Sequence, residues 1–200
     1  MPYRYGGSSK YLTISFLLVP SLKKKYSKRI VKKLYTKFRI DPNHEIKGAD
    51  LDEDQRDFLT DEIVKLLTKH TDIQLLSITV KKANVEPHIK ADQNKLYNYM
   101  IGLALIDEIC SENTVTLIPD PRTIKIKSGN SLLDYLQISL WFVKKVKTKL
   151  IMQTVHSNQS LNLQLIDMVA HITWCMYEDG RLKHAKKLLP YMKNKELFFS

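Results

Sequence analysis

Strand-like and helix-like segments take turns along this chain, and that alternation restricts it to layered folds in which helices cover a sheet. Residues 11–19 are rich in β-branched and aromatic side chains and stop at Pro20, the pattern of a buried strand. Immediately afterwards Leu22, Tyr26, Ile30, Leu34 and Phe38 recur every four residues, which predicts a helix with one apolar face. The same reasoning predicts strands at 73–81, 114–118 and 150–155, and helices at 53–70, 92–110, 132–145 and 161–178. A short basic helix is expected from about residue 180, with Arg181, Lys183, Lys186 and Lys187. The expected fold class is therefore α/β, a mixed sheet flanked by helices.

With 200 residues and 44% hydrophobic content, the chain can build one full core, and residues 1–200 are read as a single domain. Lys and Arg outnumber Asp and Glu by 32 to 21, leaving a net charge of +11. Such a surface attracts polyanions, of which nucleic acid is the commonest. Cys110 and Cys175 are too few for a disulfide framework and stand at no metal-ligand spacing, which fits a reducing cytoplasm. No apolar run reaches the roughly 18 residues of a membrane span, so no membrane partner is expected.

Charge is concentrated after Pro20. The non-apolar positions of that helix hold Lys23, Lys24, Lys25, Lys28, Arg29, Lys32, Lys33 and Lys37, with no acidic residue among them. Either this is a solvated face or Lys24, Lys28 and Lys32 contact phosphates, and the sequence favours neither.

Three carboxylates invite a chemical reading. Asp167 lies in an otherwise apolar stretch, Leu163-Gln164-Leu165-Ile166-Asp167-Met168, where burial without a partner would be costly. The plain alternative is a carboxylate paired with a lysine or capping a neighbouring helix. Asp120, between Pro119 and Pro121, follows a strand, and ligands gather near strand ends in α/β sheets. Ordinary turn chemistry explains it equally well. Arg122 could clamp a phosphate or neutralise Asp120. Glu45 and Lys47 alone would be loop residues. The six histidines form no close ligand pair in sequence, and His156 is a weaker candidate for proton transfer. A phosphate loop is absent, because Gly6-Gly7 lacks a following Lys-Ser or Lys-Thr. So is a glycine-flanked nucleophilic serine.

Taken in order, Ser9-Lys10-Tyr11, Glu45-Ile46-Lys47-Gly48, Lys95-Leu96-Tyr97, Asp120-Pro121-Arg122 and Leu163-Gln164-Leu165-Ile166-Asp167 resemble a bacterial and phage family known as domain of unknown function 3800. The resemblance spans about residues 8 to 178. It implies a ribonuclease H-like fold and a metal-dependent phosphodiesterase (nuclease), with Glu45, Asp120 and Asp167 as the acidic ligands. The implied cofactor is a pair of Mg²⁺ or Mn²⁺ ions, which prefer oxygen donors and stabilise the attacking and leaving oxygens of a phosphoryl displacement. Lys47 and Arg122 would hold the scissile phosphate, and Lys24, Lys28 and Lys32 the flanking backbone.

The chain also departs from that family's pattern. The family's opening strand ends in Asp-Glu-Ser-Gly, whose Asp is the expected first ligand, and no such motif occurs here. The sheet is thus expected to lack its first, central strand, leaving the metal site incomplete and the activity in question. A gap would leave strand edges that either another strand fills or a homodimer covers. From a different class comes the alternative of a non-catalytic nucleic-acid-binding or protein-interaction module that keeps the basic surface.

Overall fold

A computed structural model describes residues 9–90, 93–120 and 132–198. The element order is β1 (Tyr11–Leu18), α1 (Lys24–Lys37), α2 (Glu53–Lys69), β2 (Gln74–Lys81), α3 (Pro87–Lys90) and α4 (Gln93–Ile109). It continues with β3 (Thr114–Leu117), α5 (Leu132–Ile138), β4 (Lys149–Met152), α6 (Leu161–Glu178), α7 (Lys183–Leu188) and β5 (Met192–Leu197). The chain is mixed α/β, as its alternating patterns require.

Strands β1 and β2 pair antiparallel over their full length, from Tyr11 opposite Lys81 to Leu18 opposite Gln74. On the other side of β2, β5 adds in parallel, giving the order β1-β2-β5. A second, two-stranded sheet pairs β3 and β4 in parallel. Among the described residues no strand joins β1 to this second sheet. The two sheets nevertheless share an apolar cluster: Ile14, Phe16 and Leu18 of β1 meet Val115, Leu117, Leu150 and Met152 around Leu105 and Ile109 of α4 and Leu136 of α5.

The other face of the β1-β2 pair lies against α6 and is partly polar. Thr13 and Thr79 hydroxyls meet at 2.9 Å, and Ser15 donates to Ser77 at 3.3 Å. Small hydroxyl side chains that satisfy one another across the strands can be buried without an orphaned polar atom. Beyond this ladder, Leu17 and Leu75 join a larger core with Val31 and Leu34 of α1, Leu59 and Ile63 of α2, Met168 and Ile172 of α6, and Leu188 of α7. Both ends of α6 are fastened. Its first turn is capped by the Ser160 hydroxyl, and at its last residue the Glu178 carboxylate accepts the backbone N–H groups of Lys10 and Tyr11, both at 3.0 Å.

Several expectations need correction. The strand β5 falls in the tail where the sequence predicts only a basic helix; its residues, Met192-Lys193-Asn194-Lys195-Glu196-Leu197, are polar enough to pass for a loop. It is an added strand, but it extends the sheet beyond β2 instead of lying beside β1. Leu22 is not part of the apolar stripe: it sits in a 3-10 turn (Ser21–Lys23) ahead of α1 and is 89% exposed. The helix expected over 132–145 becomes a π turn at Ser139–Val143, which rotates the apolar stripe and leaves Val143 at the surface. The expectations that fall on residues 1–8 and on the basic loop of residues 125–129 lie outside the described residues.

Candidate functional site

The corner where α1, the loop of residues 44–48 and α6 meet holds three of the residues singled out above, Glu45, Lys47 and Asp167. Tyr35 of α1 organises it. Its buried hydroxyl accepts the Ile46 N–H at 3.0 Å and lies 3.1 Å from the His44 carbonyl and 3.2 Å from Oε1 of Gln164. Gln164, itself buried in α6, donates to the Ser157 carbonyl at 3.0 Å. Ser27 of α1 reaches Asn162 at 2.9 Å, so α1 and α6 are also joined near the start of α6.

Within this corner the Gly48 N–H donates to Oδ2 of Asp167 at 3.1 Å. Lys47 pairs with the carboxylate of Glu45 and donates to the Ser157 hydroxyl at 3.2 Å. Glu45, Lys47 and Asp167 therefore belong to one neighbourhood, brought together from distant parts of the chain. Asp167 is exposed, contrary to what its apolar neighbours in sequence suggest. Leu165, Met168, Val169 and Ile172 take the inner face of α6, and Asp167 falls on the outer one. Its partner is a backbone amide, and no desolvated charge has to be compensated.

Asp120 is close enough to Tyr97 of α4 to help push that phenol up to about 12, with burial of the ring as the larger cause. Arg122 is outside the described residues. One octahedral Mg²⁺ with bonds of about 2.1 Å keeps its ligand oxygens within roughly 4.2 Å of one another. Among the described residues the one group of three or more His, Cys, Asp or Glu side chains with ligand atoms inside 4.8 Å is Glu53, Asp57 and His184, so Glu45, Asp120 and Asp167 do not form a ready pocket for a single shared ion.

That second cluster could hold a metal ion. Glu53 and Asp57 stand one turn apart at the start of α2, and His184 comes from α7. The spacing of the two acids is visible in sequence, but His184 lies far along the chain and only the packing of α7 on α2 delivers it.

The basic face of α1 is formed as its sequence suggests. Lys28 and Lys32 are exposed and Lys24 is partly exposed, in a strip with a rise of about 6 Å between successive residues. Lys33 is taken by Glu62 at 2.5 Å and Lys23 by Asp72 at 2.7 Å. Lys25 and Arg29 lie over the Tyr26 ring, and Lys37 lies over Phe58. Lys24, Lys28 and Lys32 have no ion pair with any described residue.

Beside Asp167, one turn further along α6, His171 carries a pKa held below its ordinary 6.5, first by burial and then by the Arg56 and Arg181 charges. A histidine whose folded pKa is depressed stays neutral in the fold while the unfolded chain takes up a proton. The fold is therefore penalised as pH falls through the unfolded value near 6.5, and unpenalised above it. The melting temperature should drop between about pH 7 and pH 5.5, and His171→Gln should flatten that part of the profile; an unchanged slope would assign the dependence to other groups.

No protein-family model matches this chain, and neither the curated proteins nor the solved structures contain a match to it. No helix among the described residues is long and apolar enough to cross a membrane.

Proposed function

We propose that this chain binds the sugar-phosphate backbone of nucleic acid along α1. The observation that carries the reading is the strip of Lys24, Lys28 and Lys32, cations with no carboxylate among the described residues to neutralise them, on a chain of net charge +11. A charge strip left unpaired on a strongly basic surface costs the folded state self-repulsion and becomes favourable when it meets a polyanion that releases its counterions.

A second reading, from the resemblance to the domain of unknown function 3800 family, makes the chain a metal-dependent phosphodiesterase. Two observations favour it. The Gly48 to Asp167 hydrogen bond brings the Glu45 and Lys47 loop to α6, at the corner where α1 also arrives. The separate β1-β2 and β3-β4 pairs are also the pieces a ribonuclease H-like sheet would leave if its central strand were lacking. The acids as they stand do not suit a single shared ion, and Glu45 is already neutralised by Lys47. The binding reading therefore leads, and Mg²⁺ or Mn²⁺ belongs only to the second.

One experiment separates the two. Binding of a labelled mixed-sequence oligonucleotide, RNA or DNA, is followed by fluorescence anisotropy across salt concentrations, with and without Mg²⁺ or Mn²⁺. Changing Lys24, Lys28 and Lys32 together to Glu is expected to weaken binding more than about tenfold and to flatten the salt slope by about 0.9 for each phosphate no longer neutralised. Affinity that ignores both salt and these lysines rejects the binding reading. Metal-dependent shortening of the oligonucleotide, abolished in Asp167→Asn, would put the phosphodiesterase reading first.

A further inference from the structure

We propose that Glu53, Asp57 and His184 form a site for a divalent ion of the Zn²⁺ class, which displaces the ammonium of Lys183 and fastens α7 to α2. The site is separate from the α1 strip and does not depend on it. His184 points into the cluster with its side chain only 9% exposed, its Nε2 atom 3.3 Å from Oδ1 of Asp57 and 3.7 Å from Oε1 of Glu53. Neither contact is aligned as a hydrogen bond, and Nε2 has no hydrogen-bond partner among the described residues. Either tautomer is then badly served. A protonated Nε2 is a buried donor without an acceptor in line, and an unprotonated one is a buried lone pair left beside two carboxylates. An ion between them satisfies the lone pair and both acids together.

Cation affinity is already visible at this point. The Lys183 ammonium stands 3.1 Å from Oε1 of Glu53 and 2.6 Å from Oδ2 of Asp57, where it balances their charge. Its side chain is 55% exposed, so it can swing into water when an ion arrives. Lys187 lies 3.4 Å from Asp57 but is nearer to Asp61, at 2.8 Å, and need not leave. The donor set selects the ion. One imidazole nitrogen with two carboxylate oxygens suits Zn²⁺, whereas Mg²⁺ and Ca²⁺ favour oxygen alone. Water would complete the four-coordinate shell.

The full chain, stripped with chelator, is titrated with Zn²⁺ by calorimetry and melted with and without it. One equivalent is expected to bind and raise the melting temperature. Lys183→Met should tighten binding about five- to tenfold, because the competing cation is gone. Glu53→Gln and His184→Gln should each weaken it at least about tenfold, and the Glu53 variant, changed at an exposed residue, serves if the buried histidine variant folds poorly. The Co²⁺ form should show a d-d absorption spectrum that His184→Gln alters. Unchanged Zn²⁺ affinity in Glu53→Gln and His184→Gln, looser binding in Lys183→Met, or an equal rise in melting temperature with Mg²⁺ would each overturn the assignment.

Discussion

Replacing Gly48 by alanine is expected to destabilise the protein by about 1–3 kcal/mol, the range for forcing extra atoms into a packed site. At about 2–4 °C per kcal/mol for a chain of this size, a mid-range loss lowers the melting temperature by roughly 4–8 °C. A β-carbon built at Gly48 would lie 2.5 Å from Cβ of His171, 3.0 Å from Cα of Met168 and 3.1 Å from the Asp167 carbonyl oxygen. All three atoms belong to the body of α6 and cannot turn aside as a side-chain tip could. The loop of residues 44–50 has to lift, and the Gly48 to Asp167 hydrogen bond, 3.1 Å long, goes with it. Thermal melts of the variant test the size of the effect. An amide shift of residue 48 that still reports its bond to Asp167 would show that the loop had not moved, against expectation.

Truncating Leu34 to alanine should cost more, about 2–5 kcal/mol, because its side chain is wholly buried where α1 packs on α2 and α6. The informative comparison is Leu22→Ala. Both leucines belong to the same four-residue repeat in sequence, yet Leu22 is 89% exposed and its truncation should stay within about 0.5 kcal/mol. Urea denaturation of the two variants measures the contrast. Equal losses would mean that the buried stripe begins at Leu22 after all.

That contrast shows how far periodicity carries. It bounds α1, α2, α4 and α6 closely, although it does not tell which face of α4 turns outward, where Tyr99 is 46% exposed. It fails where backbone geometry changes inside a pattern, at the 3-10 turn before α1 and at the π turn after α5, because a tighter or wider turn moves every later side chain around the axis. Strand β5 escapes because Lys193, Asn194, Lys195 and Glu196 fill its middle, at a sheet edge where polar side chains reach water. The candidate site is legible in part. Glu45, Lys47 and Asp167 do gather at one corner, but the neighbours of Asp167 in sequence are a poor guide when the helix phase decides its exposure. Tyr35, which holds that corner together, looks like one more apolar residue of α1, and nothing local announces its hydroxyl. His184 cannot be joined to Glu53 and Asp57 without knowing that α7 folds back on α2.

Helix α6 runs for 18 residues, roughly 27 Å at about 1.5 Å per residue. In its first half it bears the loop of residues 44–48, and its final carboxylate holds the amides of Lys10 and Tyr11, where β1 begins. A rod pinned at both ends transmits displacement along its length better than it absorbs it. The Asp167 corner and the start of β1 at Tyr11 are therefore two attachments of one helix, and the extra carbon of Gly48→Ala is expected to disturb both if α6 moves as a rod.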